Sequence, residues 1–222
     1  MMENTALTMK PKLVRNKSFY KLLFLLALPV TMQNIVVFLT QMLDTVMLGE
    51  LGDVAMSAAS LANQPFFIFN MLTFGMGSGA AVLTAQYWGM QKIRPIKVIF
   101  TTIIKISMVL GLLLMLIIFL WPAAMMSIFT KDPAVIEAGA SYLRIICFSY
   151  VFFGFTNVYY TAMRSVETVR IAMVSNLIAL CINGFLNYVL IFGKFGAPSL
   201  GVRGAAIATL IARTVEFGIR CV

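Results

Sequence analysis

Residues 22–49 read LLFLLALPVTMQNIVVFLTQMLDTVMLG, and the first charged side chain in this stretch is Asp44. A helix needs roughly 20 predominantly apolar residues to cross the hydrocarbon core of a bilayer. The segment 22–43 meets that length without a single charge. We therefore predict a membrane-spanning helix at about 20–47, with Asp44 in its last turns.

The composition of the whole chain excludes an ordinary soluble domain. Hydrophobic residues make up 61% of the 222 residues and charged residues 11%. Soluble domains average about 45–50% apolar and about 25% charged residues. Intrinsic disorder is excluded as well, because disordered chains are poor in hydrophobic residues. The lipid bilayer is therefore the expected solvent and partner of this chain.

Five further apolar stretches complete the prediction. The segment 54–91 is uncharged, and Pro65 together with the glycines at 75, 77 and 79 is expected to interrupt it. The final stretch, 204–212, is short and is followed by charged residues. The fold class is therefore all-α integral membrane, a bundle of six transmembrane helices. Their predicted bounds are about 20–47, 54–88, 96–121, 134–162, 169–193 and 202–220.

The distribution of lysine and arginine predicts the orientation of the bundle. One side carries Lys10, Lys12, Arg15, Lys17, Lys21, Lys92, Arg94, Lys97, Arg164, Arg170, Arg213 and Arg220. The other side carries Lys131, Lys194 and Arg203. Because cytoplasmic loops collect basic residues, twelve against three places both termini in the cytoplasm, in the cell membrane. Residues 1–19 then form a basic cytoplasmic tail, and the net charge of +9 needs no nucleic-acid partner.

Polar side chains follow one face of the first predicted helix and one face of the fifth. Asn34, Gln41 and Asp44 are spaced i, i+7, i+10. The asparagines of the fifth helix are spaced i, i+7, i+11, and they are Asn176, Asn183 and Asn187. Residues at these spacings share a helix face. An intramembrane carboxylate is rare and marks an ion or proton pathway, although amides between membrane helices also serve simply as interhelical hydrogen bonds.

Other chemistry finds little support in the sequence. The chain contains no histidine, and Cys147, Cys181 and Cys221 fit neither a disulfide framework nor a metal-binding spacing. The predicted spans contain no nucleophile with an adjacent base and no paired carboxylates. We therefore expect a protein that is not an enzyme and that binds no cofactor.

Several motifs resemble the multidrug and toxic compound extrusion family. LPVTMQN at 28–34 with DTVMLG at 44–49 resembles the first helix of that family, and GMGSG at 75–79 with AQYWG at 85–89 resembles the end of its second. NGFLNYVLIFG at 183–193 is similar to its fifth helix, and PSLGVRGAAIAT at 198–209 to the following loop and sixth helix. The order and spacing of these motifs are more specific than any one of them.

The resemblance implies cation-coupled export of organic, often cationic, compounds by alternating access. It also implies an N-lobe cation site built from Asp44, Asn183, Asn187 and Thr209, while Asn34, Gln41 and Asn176 are candidates for lining the cavity. Some family members carry aspartate where this chain has Asn187, so Na⁺ and H⁺ both remain open as the coupling ion.

The family has twelve helices in two lobes, whereas this sequence accounts for one. The chain is therefore expected to be an antiporter lobe, with two alternatives. The first is a fragment that transports nothing alone, or a half-transporter that needs a second lobe or a homodimer. The second is a protein like the related flippases of lipid-linked oligosaccharides, for which more charge would be expected in the cleft.

Overall fold

The structure, a computed structural model, describes residues 17–165 and 170–221. Within these ranges it contains nine helices and no strand. They are α1 (Lys17–Gly49), α2 (Asp53–Ala62), α3 (Gln64–Gly89), α4 (Ile93–Leu120), α5 (Pro122–Ser127), α6 (Pro133–Ile146), α7 (Ser149–Ser165), α8 (Arg170–Phe192) and α9 (Val202–Cys221). The predicted all-α class is confirmed. Residues 17–19, assigned above to the tail, already belong to α1, and the rest of that predicted tail lies outside the described residues up to residue 16.

The second predicted span consists of two helices, α2 and α3, that meet at Asn63. Proline has no N–H to donate, so Pro65 cannot continue the helical hydrogen-bond ladder, but it fits the first turn of α3. The glycines at 75, 77 and 79 were also expected to interrupt this span. They do not, because α3 runs through them without a break.

The fourth predicted span is bent, which the sequence did not indicate. α6 and α7 meet at an angle of 57°. At the bend the Tyr150 N–H donates to the Cys147 carbonyl at 3.1 Å, a tighter turn than that of an α-helix. The bend directs α6 onto α2 and α9, and α7 onto α3 and α4. The short helix α5, which packs on α6, was not predicted either.

Apolar surface of membrane length is present in several helices. Three stretches are long and apolar enough to cross a bilayer, Asp53–Gly89, Ile93–Leu120 and Val174–Phe192. The bent pair α6 and α7 adds a fourth if it forms one span. Large side chains on α4 such as Val98, Val109 and Leu120 are exposed, as expected for a helix that faces lipid.

The backbones of α8 and α9 approach each other closely at Gly204. A Cβ placed on Gly204 would lie 2.6 Å from the carbonyl oxygen of Leu190, which is a backbone atom and cannot rotate away. The Leu200 N–H also donates to this oxygen, at 2.9 Å. Glycine at position 204 therefore sets the distance between the two helices that carry most of the polar side chains described below.

We predict that Gly204→Ala destabilises the lobe by about 1–3 kcal/mol, because overpacking displaces backbone. Thermal unfolding of the purified chain in detergent measures the effect. Gly218→Ala in the same helix is the control, since nothing lies within 4 Å of its added Cβ. Equal melting temperatures for the two variants would contradict the close approach of α8 and α9.

Candidate cation site and internal cavity

A cavity of about 320 Å³ lies between α1, α3, α7, α8 and α9. The three residues predicted to line it, Asn34, Gln41 and Asn176, all do so. Asp44, Asn183 and Thr209 line it as well. The polar faces predicted for the first and fifth helices thus meet around one space.

The four residues of the predicted cation site lie in direct contact with one another. The Asn187 amide donates to Asp44 Oδ1 and, at 3.2 Å, to Asn183 Oδ1. The Asn183 amide in turn donates to Thr209 Oγ1 at 3.1 Å. This chain of hydrogen bonds joins α1 to α8 and α8 to α9.

Burial distinguishes the members of this cluster. Asn183 and Asn187 are buried, at 1% and 0% exposure, whereas Asp44 and Thr209 are partly open to the cavity. The Asn187 Oδ1 atom is buried and accepts no hydrogen bond from the described residues. A buried acceptor without a donor is costly unless something else satisfies it. A cation or a proton near Asp44 is a species that this oxygen can bind.

The chemistry of the donor set suits a hard monovalent cation or a proton. Carboxylate, amide and hydroxyl oxygens are hard ligands, and a carboxylate in a membrane protein readily carries a proton. No group of three or more histidine, cysteine, aspartate or glutamate side chains lies together among residues 17–165 and 170–221. In those ranges, then, the cluster around Asp44 is the arrangement best suited to an ion.

A second polar centre, which the sequence analysis missed, surrounds Arg220. Its Nη1 donates to the Thr156 carbonyl at 2.9 Å, and its Nη2 to Asn176 Oδ1 at 2.9 Å. Its Nε donates to Ser175 Oγ at 3.3 Å, and Glu216 Oε1 lies 2.8 Å from Nη2. Arg220 is 6% exposed, so the guanidinium is buried where α7, α8 and α9 meet.

Arg213 is the third charged group of α9 in the cavity. Its guanidinium carbon lies 4.3 Å from the ring centre of Phe66 and 4.8 Å from that of Phe153. Both Arg213 and Arg220 were counted above as cytoplasmic terminal residues, and that assignment is wrong. Without them the count is ten against three, which still favours cytoplasmic termini, so the orientation stays a prediction.

A spacing in the sequence was available to identify these residues. Thr209, Arg213, Glu216 and Arg220 are spaced i, i+4, i+7, i+11, which places them on one face of a helix. Because three charged residues follow position 212, hydropathy alone predicts only a short apolar span at 204–212. The spacing of these residues is instead typical of a longer helix with one polar face. Glu216 also adds a second carboxylate to the cavity, paired with Arg220 rather than with Asp44.

Comparison with known proteins gives a consistent result. The family model MatE matches residues 29–189. The probable multidrug resistance protein NorM of Thermotoga maritima is 32% identical over 200 residues, which cover 90% of this chain and 43% of that protein. The probable multidrug resistance protein YoeA of Bacillus subtilis is 27% identical, with the same coverage. The chain thus spans a little under half the length of these relatives.

Solved structures share the fold. A MATE crystal structure in complex with MaL6 superposes with a TM-score of 0.82 at 20% identity, covering 90% of this chain and 44% of that one. An outward-facing multidrug resistance MATE transporter of the MOP superfamily gives a TM-score of 0.80 at 21% identity, with the same coverage. The helices described here therefore share the fold of a part of those chains that amounts to 44% of their length.

We predict that Arg220→Met destabilises the chain strongly, by about 3–5 kcal/mol, because it leaves the partly buried Glu216, whose side chain is 16% exposed, without its partner. The double variant Arg220→Met with Glu216→Leu should lose less stability than the single variant, since no unpaired charge remains. Melting temperatures of the variants in detergent measure both effects. Arg203→Met, which removes an exposed arginine from the same helix, is the control. A single variant no worse than the double would show that the pair is unimportant.

Proposed function

The chain belongs to the MatE family, and we propose that it is one lobe of a cation-coupled antiporter that exports small organic compounds by alternating access. Its relatives are transporters, which supports a role other than that of an enzyme. The chain is a membrane protein, and its family transports small molecules. Coupling, substrates and the partner lobe belong to the proposal.

The contact between Asp44 and Asn187 carries this proposal. It unites one ionisable group with two fully buried amides and a hydroxyl, on three different helices. An ion bound at Asp44 competes with the hydrogen bond from Asn187, so its arrival changes the contact between α1 and α8. Ion occupancy thereby acts on helix packing, which is what alternating access requires.

The energetics set a condition on this coupling. A membrane potential supplies about 2.3 kcal/mol per elementary charge per 100 mV. A ligand shifts a conformational equilibrium only by its difference in affinity for the two states. Asp44 must therefore bind the ion from the outside in one state and lose that affinity in the other. Its place at the cavity wall, with partial exposure, is suited to such a change.

Both Na⁺ and H⁺ suit the site. The free Asn187 Oδ1 atom and the second oxygen of Asp44 are ligands for Na⁺, and a protonated Asp44 is a donor for the same amide oxygen. With asparagine at position 187, the cluster holds a single carboxylate, so one elementary charge is neutralised in either case.

A half-transporter is the second candidate, because the described helices form a single lobe with its own internal cavity. In this case the lobe needs a second lobe or another copy of itself to form the cleft through which substrate passes. Transport by the chain alone and transport with a supplied C-terminal lobe distinguish the two candidates.

We predict that Asp44→Asn abolishes ion-dependent export but leaves the fold intact, because the amide is the same size and its oxygen still accepts from Asn187. The assay is efflux of a fluorescent organic cation from proteoliposomes with an imposed Na⁺ or pH gradient. It is run with the chain alone and with a C-terminal lobe from the Thermotoga maritima relative.

Glu50→Gln is the matched control, since it removes an exposed carboxylate near the same end of α1. Binding of ²²Na⁺ to the purified chain should fall at least about tenfold in Asp44→Asn and remain unchanged in the control. Undiminished gradient-driven efflux by well-expressed Asp44→Asn would refute the assignment of the site.

The predicted orientation has its own test. In a chain whose native cysteines are replaced by serine, Lys92→Cys should react with a membrane-impermeant maleimide only after the cells are opened. Lys131→Cys should react in intact cells. The opposite labelling pattern would invert the topology and place the Asp44 end of the cavity toward the cytoplasm.

A further inference from the structure

The guanidinium of Arg213 is held by aromatic rings rather than by hydrogen bonds. Among residues 17–165 and 170–221, no acceptor receives a hydrogen bond from this side chain, whereas Arg220 on the same helix uses all three of its nitrogens. An intramembrane charge is costly to bury. A charge that is kept without a hydrogen-bonding partner therefore points to a function in the cavity.

The rings of Phe66 and Phe153 form a corner that suits a cation. Their centroids lie 4.6 Å apart and their planes meet at 66°, an edge-to-face arrangement. Phe153 lines the cavity, and Phe66 packs against the hydrophobic core beside it. The Arg213 guanidinium lies 4.3 and 4.8 Å from the two centroids. Organic ammonium ions bind at this distance from aromatic faces. The corner is thus an aromatic cation site whose occupant belongs to the protein itself.

Asp44 is an alternative partner for the same guanidinium. Arg213, Glu216 and Asp44 line one cavity; Glu216 is the carboxylate that attracts the guanidinium most strongly, and Asp44 attracts it more weakly. Long side chains on a helix point toward its N-terminus, and one turn in that direction is Thr209, which is linked to Asp44 through Asn183 and Asn187. Arginine also forms a planar fork that matches a carboxylate. Because both side chains line the same cavity, Asp44 is a carboxylate that the guanidinium meets there when it leaves the aromatic corner.

We propose that Phe66 and Phe153 form a binding site for organic cations that Arg213 occupies in this structure, and that an entering organic cation displaces the guanidinium onto Asp44. The inference rests on the proposed function of Asp44 as the ion site. Once paired with Asp44, the guanidinium takes the place of the coupling ion. The substrate and the ion then exclude each other, although they bind at different positions.

The charge balance of the cavity supports this exchange. Four side chains that are charged at neutral pH line it, namely Asp44, Arg213, Glu216 and Arg220, and their charges sum to zero. Glu216 and Arg220 neutralise each other. One bound cation, whether the coupling ion or the organic cation, brings the cavity to a net charge of +1. Exchange of one for the other keeps that total, whereas binding of both would add a second uncompensated charge to the low-dielectric interior.

The first test is equilibrium binding of radiolabelled tetraphenylphosphonium to the purified chain in lipid nanodiscs, with empty nanodiscs subtracted. Arg213→Gln removes the internal competitor and should raise the affinity about tenfold. Arg213→Lys keeps a charge that fits the corner less well and should give an intermediate rise. Unchanged or weaker binding by Arg213→Gln would overturn the proposal, because an arginine with a purely structural role or a role in binding anions predicts that result.

A second pair of variants separates the aromatic corner from simple charge repulsion. Phe153→Leu should weaken binding of tetraphenylphosphonium. When Phe153→Leu is combined with Arg213→Gln, the increase in affinity that Arg213→Gln produces alone should disappear. Phe155→Leu is the matched control, since this ring lies on the same helix but contacts Tyr159 and Phe217. A gain that persists in the Phe153→Leu background would mean that long-range charge alone is responsible, which also overturns the site.

Displacement of the ion completes the experiment. In the wild-type chain, tetraphenylphosphonium should release bound ²²Na⁺, or a proton detected with a pH dye. In Arg213→Gln, both should bind together. Release that continues without Arg213 would refute the displacement step. If the wild type binds neither ion, the proposed function of Asp44 fails, whereas the affinity changes at Phe153 and Arg213 still decide the aromatic site independently.

Discussion

The buried contact between Asp44 and Asn187 constrains the position of α1 more than any other polar interaction described for that helix. Outside it, α1 presents largely exposed apolar side chains, which lipid or another protein surface can cover. In a low-dielectric environment a carboxylate keeps its charge only where fixed dipoles face it. The Asn187 amide is such a dipole, and it is itself held by Asn183. The location of the first helix therefore depends in part on a hydrogen bond that the proposed ion binding would alter.

Two polar faces transmit this contact through the lobe. The asparagines of α8 oppose the charged face of α9 in antiparallel order, with Asn183 bonded to Thr209 and Asn176 bonded to Arg220. Gly204 allows the backbones of these two helices to touch near the loop that joins them. α8 and α9 are consequently fixed to each other at both ends. α1 packs along α8, and the hydrogen bond from Asn187 to Asp44 is the polar part of this contact. Under the proposed function, ion occupancy acts where α1 meets α8.

The sequence was sufficient for the parts of the structure that arise from local physics. Uncharged length located the helices to within about one turn, and Pro65 marked the division between α2 and α3. The spacing of Asn34 with Gln41 and of Asn176 with Asn183 predicted two polar faces, which line one cavity. Helical periodicity alone decides which residues share a face. The bend between α6 and α7 could not be predicted from the sequence, since no proline or glycine lies at residues 146–150. The two helices instead diverge to pack against different neighbours.

The charged face of α9 shows where reasoning from hydropathy fails. Hydropathy averaged over a window is lowered by Arg213, Glu216 and Arg220, so the segment scores poorly as a membrane span. Their spacing from Thr209, however, places them on one face of the helix, and that face lines the cavity. Aromatic partners such as Phe66 and Phe153 come from distant helices and leave no local signal.

The charges of α9 also bear on how this lobe is made. A helix with Arg203, Arg213, Glu216 and Arg220 is a poor candidate for leaving the translocon unaided, since each charge near the bilayer centre costs about 2.5–3.5 kcal/mol on insertion scales. The internal pair of Glu216 with Arg220 and the short connection to α8 reduce that cost when the two helices enter together. Insertion of α8 and α9 together as a helical hairpin is therefore more favourable than insertion of α9 alone, because Asn176 and Asn183 of α8 bind polar side chains of α9.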